Sequence, residues 1–432
     1  MNLTENISEV IQLSKSKIAK DSAIVLTGNI LGAGLGFIAT ILIVRTLGPA
    51  QFGLFSVALA VMGIATQFSD FGIGTGLVRF ASLYLHQDKL KADLMFKVSL
   101  KLKLIISVLV FLIGFFASES LAVHVFGKPE LIFPLKLAFI GAFGASLVAY
   151  ISATLQARQS FAKFAFVNLI NPLGKLTLIG LLFLTYKLNL LSALTTVIIL
   201  PFIAFLIGSL IIPRDFLRAK GDENKALHEL FHFSKWILVS TFCVMIFNRL
   251  DVLMLGYFKS TEEVGYYSAA FNLAFAVSLV TGSLITVLLP KASTIVGSNA
   301  LKNYIRKSLK YTSLIVFLMT PILVFSGPLI LFLYGSQYRS SIIIFVILFA
   351  IRLLGVMTSP LGLVFYTLNK PQLSGYLNVM QLLGNFTGNY LMIPKYGAIG
   401  AALSTLIIYG LGSLYVGIYI HYKIFKNTGE PL

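Results

Sequence analysis

The sequence predicts an all-α membrane protein with about twelve transmembrane helices. The 432 residues are 57% apolar and only 12% charged, with a mean hydropathy of +0.89. Soluble domains are about 25% charged and about 45 to 50% apolar. Apolar stretches of about 20 residues recur along the whole chain, and each is long enough to cross a bilayer as a helix. They are too long and continuous for the strands of a membrane barrel, so the spans are predicted to be helices.

The stretches without solvated charge define twelve predicted spans. The first six lie at 23–45, 54–77, 104–126, 131–153, 165–186 and 190–212. The second six lie at 236–258, 268–290, 311–333, 342–364, 373–393 and 398–420. A polar segment divides the two sets, which predicts an N-terminal six-helix lobe (1–212), a cytoplasmic linker (213–235) and a C-terminal six-helix lobe (236–432).

The distribution of Lys and Arg predicts the orientation. If the N-terminus is cytoplasmic, the inner segments carry 24 of the 34 basic residues. Cytoplasmic loops of membrane proteins carry such an excess, so both termini are expected in the cytoplasm. The net charge of +18 is then accounted for by attraction to anionic membrane lipids, and no nucleic acid partner is expected. The single cysteine, Cys243, excludes an intrachain disulfide.

A short phrase occurs in both halves of the chain. Gly53, Phe55, Ser56 and Ala58 have the same spacing as Gly265, Tyr267, Ser268 and Ala270. Six spans is an even number, so both halves enter the membrane in the same direction. This predicts parallel repeats related by an axis along the membrane normal, with the substrate site between them.

The segment from Arg45 to Ser82, RTLGPAQFGLFSVALAVMGIATQFSDFGIGTGLVRFAS, resembles the opening signature of the polysaccharide-unit (O-antigen type) flippases. These belong to a superfamily that also holds multidrug extruders and lipid II flippases. The motif resemblance is specific over roughly residues 28–82 and 249–293. It implies two six-helix lobes in a V around a cationic cavity, in the bacterial cytoplasmic (inner) membrane.

The resemblance also implies a function. The protein would move an undecaprenyl-diphosphate-linked oligosaccharide to the outer leaflet for assembly of surface polysaccharide such as lipopolysaccharide. Its partners would be this lipid-linked glycan, membrane lipids, a polysaccharide polymerase and other assembly proteins. It implies neither an enzyme nor a cofactor.

Three basic residues lie near the middle of different spans. Lys175, Arg249 and Arg352 each oppose insertion by about 2.5 to 3.5 kcal/mol. An anionic lipid diphosphate would offset this cost, and so would structural ion pairs; both interpretations stay open. Asn248, Gln381 and Asn385 are polar neighbours within spans. The candidate substrate-binding residues are Arg249, Arg352, Lys175, Arg45, Lys136, Asn248, Gln381 and Asn385.

Two buried acids are candidates for ion coupling or for ion pairs. Asp251 lies two residues from Arg249, on a different helix face, whereas Asn248 and Asp251 share a face. Asp70 lies in the second span. In the eleventh span, Gln381, Asn385 and Asn389 form a polar stripe that could meet sugar hydroxyls or a neighbouring helix. The candidate hinge residues for alternating access are Pro172, Gly72, Gly74, Gly76 and Pro360.

Two alternative functions are weighed against the flippase. A cation-coupled multidrug extruder of the same superfamily is expected to place acidic residues in its first span, and residues 23–45 contain none. His228, Glu229 and His232 match the H-E-x-x-H pattern of a zinc metalloprotease. No third-ligand motif follows, and an amphipathic surface helix is preferred, so no metal site is predicted.

Overall fold

The computed structural model describes residues 17–426 except 294, 296 and 368–371. The two termini, which are predicted to be cytoplasmic, lie outside these residues. The described part of the chain is 92% helical and contains no strand, which confirms the predicted all-α membrane class. By length and hydropathy, nine of its helical stretches can cross a membrane, and the longest two, Lys20–Gln87 and Gln372–Ile424, each cover two predicted spans.

All twelve predicted spans fall on helices. The helices of the first half are α1 (Lys17–Asp70), α2 (Ile73–Gln87), α3 (Lys89–Ser120), α4 (Ile132–Ala157), α5 (Phe161–Leu184) and α6 (Leu190–Ile211). Those of the second half are α7 (Glu223–Phe258), α8 (Thr261–Phe275), α9 (Ser278–Ser293), α10 (Ser298–Met319), α11 (Pro321–Val324), α12 (Ser326–Tyr334), α13 (Ser341–Thr367) and α14 (Gln372–Ile420).

Two of these helices contain a sharp break between consecutive spans. In α1 the break is at Gly48, which has a φ of 70° and is followed by Pro49. In α14 it is at Gly397, which has a φ of 57°. Glycine adopts positive φ without the steric cost of a Cβ. At Gly397 the carboxylate of Glu263 accepts a hydrogen bond from the backbone N–H of Ala398 at 2.7 Å, so it caps the start of the twelfth span.

The chain forms two compact units. Unit 1 comprises the described residues up to Thr46 together with Val61–Phe242, and unit 2 comprises Leu47–Ala60 together with the described residues from Cys243 onward. The start of the second span therefore packs with the second half of the sequence. The lobe limits 1–212, 213–235 and 236–432 stay predictions.

The polar segment before α7 and the start of α7 pack against α3 within unit 1. The Phe216 ring is buried 6.0 Å from the ring of Phe96 on α3. Lys97 donates to the backbone carbonyl of Ala219 at 2.9 Å and pairs with Glu223 at the same distance. Lys101 pairs with Glu223 at 3.0 Å. Hydrogen bonds from Lys97 and Lys101 lower the pKa of Glu223 below its usual value.

The repeated phrase marks a close approach of two helices within unit 2. A Cβ on Gly53 would lie 1.8 Å from the backbone oxygen of Thr261, and a Cβ on Gly265 would lie 2.0 Å from that of Pro49. Ser56 and Ser268, which follow at the same spacing, are both buried. Small residues let membrane helices approach closely. The shared spacing thus belongs to one mutual packing site.

Gly53→Ala is expected to destabilise the protein by at least about 1 to 3 kcal/mol, the usual cost of overpacking. The methyl group would meet backbone, which cannot rotate away. The measurement is the midpoint of thermal unfolding in detergent. Gly36→Ala is the matched control, because a Cβ at Gly36 meets nothing within 4 Å. Equal midpoints for the two variants would contradict the close packing.

Candidate functional site

Unit 2 contains a cavity of about 470 Å³ that brings together three of the predicted site residues, Asn248, Arg352 and Gln381. We call it the Arg352 cavity. Its other polar lining side chains are Thr281, Thr358, Ser359, Ser374, Asn378, Tyr409 and Ser413. A single cation among hydroxyl and amide groups can bind an anion through charge-assisted hydrogen bonds and can also bind neutral hydroxyl groups.

Arg352 has aromatic neighbours and forms no ion pair with any carboxylate that the structure describes. Its guanidinium carbon lies 5.2 Å from the ring centre of Phe271 and 5.3 Å from that of Phe275. No ion pair of Arg352 occurs among the described residues. Aromatic faces attract a cation while leaving its N–H donors unused. The guanidinium therefore keeps hydrogen-bonding capacity for an anion.

Arg249 is half-buried on α7 and does not line the Arg352 cavity. Within the described part of the chain it has neither an ion pair nor a side-chain hydrogen bond. A structural ion pair for this residue is therefore not present among those residues. The ligand-binding role of Arg249 stays a prediction.

The remaining predicted cations lie apart from this cavity. Lys175 on α5 donates one hydrogen bond, to the Thr40 hydroxyl at 3.0 Å, and belongs to unit 1. The Lys136 ammonium lies 5.5 Å from the ring centre of Phe115. Arg45 is exposed. The structure places none of these three in the Arg352 cavity.

Asp251 is the centre of a buried polar cluster, which we call the Asp251 cluster: Asp251, Tyr267, Asn385, Asn389 and Thr405. The carboxylate accepts hydrogen bonds from the Tyr267 hydroxyl, from Asn389 Nδ2 at 2.7 Å and from Thr405 Oγ1 at 3.0 Å. Asn385 Nδ2 donates to Thr405 Oγ1 at 2.8 Å. All the donors to the carboxylate are neutral, and no ion pair of Asp251 occurs among the described residues.

The Asp251 cluster adjoins the Arg352 cavity. Asn248, Asp251 and Arg352 border a small cavity of about 30 Å³, so Asn248 and Asp251 do share a face, as the sequence predicts. The three residues of the polar stripe in the eleventh span belong to two different sites. Gln381 lines the Arg352 cavity, whereas Asn385 and Asn389 join the cluster. Asn389 Oδ1 is buried and has no hydrogen-bond partner among the residues that the structure describes.

Asp70 forms a buried ion pair in unit 1. Lys103 on α3 is 1% exposed and its ammonium binds the Asp70 carboxylate. Of the two roles open to Asp70, this geometry favours the ion pair over ion coupling. Asp70 also lines a cavity of about 520 Å³ together with Ser152, Gln156 and Asn168.

Among the candidate hinge residues, Gly72 lies at a true helix break. Phe71 and Gly72 have φ values of 50° and 73°, and they separate α1 from α2. The Ser234 hydroxyl donates to the Gly72 carbonyl at 3.2 Å. Gly74 and Gly76 lie inside α2, and Pro172 and Pro360 lie inside α5 and α13, which continue through them. The hinge roles stay predictions.

A family comparison matches this architecture. Residues 18–296 match the model of the family described as polysaccharide biosynthesis protein, which is more than half of the chain. The chain belongs to that family.

The chain has curated relatives along nearly its full length. It is 24% identical over 413 residues to the "Probable low-salt glycan biosynthesis flippase Agl15" of Haloferax volcanii, covering 94% of this chain and 83% of the relative. It is 22% identical over 431 residues to the "Lipid III flippase" of Escherichia coli K12, covering 94% of this chain and 99% of the relative. The resemblance inferred from the sequence is thereby confirmed.

Solved structures share the fold of this chain. The inward closed conformation of the lipid II flippase MurJ aligns with a TM-score of 0.72 at 18% identity, covering 92% of this chain and 87% of that one. An inward-facing multidrug resistance transporter of the MATE family aligns with a TM-score of 0.68 at 16% identity, covering 92% and 96%. The chain therefore shares the fold of these two structures.

The His228–Glu229–His232 motif lies on α7 near the surface. The two imidazole ring centres are 6.2 Å apart. Glu229 accepts a hydrogen bond from the Tyr84 hydroxyl at 2.7 Å, and this bond raises the pKa of Tyr84. Within the described residues, no group of three or more His, Cys, Asp or Glu side chains could hold a metal. The geometry favours a packing role for Glu229.

Three residues at these sites, Lys103, Tyr267 and Thr405, are not predicted as site residues by the sequence. Lys103 lies one residue before a predicted span, among the basic residues that the sequence predicts to be cytoplasmic. Tyrosine and threonine are common in membrane helices and carry no charge, so Tyr267 and Thr405 do not stand out in the sequence. The sequence does mark Tyr267 in one way, because it occupies the aromatic position of the repeated phrase.

Proposed function

We propose that this protein is a flippase that carries an undecaprenyl-diphosphate-linked oligosaccharide across the bacterial cytoplasmic membrane for surface polysaccharide assembly. The observation that supports it is the Arg352 cavity, where a guanidinium without a described carboxylate partner lies among amide and hydroxyl side chains. A diphosphate needs a cation, and a sugar needs amides and hydroxyls. The flippase names of the curated relatives support the same function.

The substrate would bind in two parts. The diphosphate engages Arg352, and Arg249 provides a second cation on α7. Asn248 and Gln381 donate hydrogen bonds to phosphate or sugar oxygens. Transport then proceeds by alternating access between two lobes, without covalent chemistry. The excess of basic residues in the inner segments supports an orientation with both termini in the cytoplasm. A polysaccharide polymerase and other assembly proteins would act on the delivered unit.

The Asp251 cluster is the proposed site of ion coupling. An unpaired buried carboxylate is costly, and a bound proton or sodium ion would lower that cost. Asn389 Oδ1, which accepts no hydrogen bond from the described residues, lies beside Asp251 and fits a proton donor or a cation. Because Asp251 and Arg352 border one small cavity, occupancy of the cluster can act on the substrate site through electrostatics.

The sign of the site charge separates the flippase from a multidrug extruder. The cation at the Arg352 cavity favours an anionic substrate and repels the cationic dyes that extruders export. The first span contains no acidic residue. The MATE likeness concerns the fold alone.

The test is translocation in proteoliposomes that contain a fluorescent undecaprenyl-diphosphate oligosaccharide. We expect the purified protein to move the lipid between leaflets well above protein-free vesicles. The same vesicles, loaded with a cationic dye and given a pH gradient, should show no efflux. Dye efflux without lipid movement would reject the flippase in favour of the extruder.

A further inference from the structure

The two arms of α14, residues 372–396 and 398–420, pack closely near the break between them and border a cleft farther from it. Near the break between them, a Cβ on Gly388 would lie 2.3 Å from Ser404 Oγ, and one on Gly384 would lie 2.9 Å from Ile408 Cδ1. Toward the other end, large apolar side chains replace these small ones, and they leave a cleft of about 360 Å³. We call it the α14 cleft.

The walls of the α14 cleft are apolar and exposed. Tyr376 and Met380 on the first arm are 68% and 71% exposed, and Leu411 and Tyr415 on the second arm are 58% and 47% exposed. In a bilayer these faces meet hydrocarbon. With the orientation proposed above, this half of the eleventh and twelfth spans lies toward the cytoplasmic leaflet.

The α14 cleft opens directly into the Arg352 cavity. Leu377, Gln381 and Gly412 line both. A Cβ on Gly412 would lie 2.2 Å from Gln381 Nε2, so the amide lies over the glycine at the junction. No hydrogen bond of the Gln381 side chain occurs among the described residues. The Gln381 amide, which forms no hydrogen bond with the described residues, thus lies at the boundary between an apolar cleft and a cationic cavity.

We propose that the α14 cleft holds the part of the polyprenyl chain next to the diphosphate. The diphosphate lies at Arg352, and Gln381 contacts the lipid where the polyprenyl chain meets the diphosphate. This inference rests on the proposed function and adds the route by which the lipid tail stays in the membrane. An ordinary acyl chain would fit the apolar walls equally well. The continuity with Arg352 selects a lipid whose chain ends in a strong anion, since diphosphate binds a guanidinium more strongly than a single esterified phosphate.

The test compares a tailed and a tailless ligand on the full-length protein in nanodiscs. Leu411→Trp places a bulky ring in the cleft. Leu414→Trp is the matched control, because Leu414 is 63% exposed on the same arm but lines neither the cleft nor the cavity. Affinity for undecaprenyl diphosphate should fall at least tenfold in Leu411→Trp and stay unchanged in Leu414→Trp. Affinity for inorganic pyrophosphate should stay unchanged in both.

Additional variants and ligands distinguish failure of this proposal from failure of the proposed function. Met380→Trp, from the opposite wall, should repeat the selective loss for the tailed ligand. If both cleft variants bind undecaprenyl diphosphate like wild type, or lose pyrophosphate equally, the cleft does not hold the chain. Displacement of undecaprenyl diphosphate by an equal amount of phosphatidylglycerol would also overturn the proposal, as a general lipid site. Wild type that binds neither diphosphate would instead reject the proposed function.

Discussion

Arg352→Ala and Arg249→Ala are each expected to lower the rate of lipid-linked oligosaccharide flipping at least about tenfold. Hydrogen bonds to charged groups are worth about 1.5 to 3 kcal/mol, and both guanidinium groups would lose such bonds to the diphosphate. The measurement is the flipping rate in proteoliposomes, normalised to inserted protein. Arg339→Ala is the matched control, since Arg339 is exposed in the turn before α13.

The same two variants separate the ligand-binding interpretation from the structural one. Removing one partner of a buried ion pair typically costs about 3 to 5 kcal/mol of stability. Neither arginine has a carboxylate partner among the described residues, so we expect unfolding midpoints close to wild type. A strongly lowered midpoint together with lost flipping would favour a structural role and count against the cationic site.

Asp251→Asn is expected to remove the dependence of flipping on an ion gradient. The neutral amide keeps the size of the side chain but abolishes the charge that would hold a proton or a cation. It also places an N–H₂ donor among the donors of Tyr267, Asn389 and Thr405, which should cost about 1 to 3 kcal/mol of stability. The measurement is flipping with an imposed proton or sodium gradient, compared with none.

Thr405→Val is the matched control for this prediction. It removes one donor to Asp251 and one acceptor for Asn385, yet it keeps the carboxylate. We expect a similar loss of stability with gradient dependence retained. If Asp251→Asn still responds to the gradient as wild type does, Asp251 is not the coupling site.

The membrane fold could be predicted from the sequence because hydrocarbon imposes one requirement at every residue. Each span must be apolar, about 20 residues long and hydrogen-bonded within itself. All twelve predicted spans fall on helices for this reason. The helix breaks at Gly48 and Gly397 could be anticipated in position, because each lies between two predicted spans.

The partners of the buried polar groups could not be predicted, since they depend on which helix faces meet. Arg249, Arg352 and Lys175 lie at similar depths in their spans, yet only Arg352 lines the cavity. Gln381, Asn385 and Asn389 recur every four residues on one arm of α14, yet they divide between the cavity and the Asp251 cluster. The burial of Lys103 could not be predicted for the same reason, because its ion-pair partner, Asp70, lies on another helix.

The chain passes from one compact unit to the other three times, after Thr46, after Ala60 and after Phe242. A gene cut within residues 213–235 would therefore not yield two self-contained fragments. The N-terminal fragment would carry residues 47–60, which pack with the C-terminal half, and Gly265 would lose the backbone of Pro49 as its neighbour. Coexpressed fragments should find each other through this exchanged segment, and the C-terminal fragment produced alone should be the less stable product.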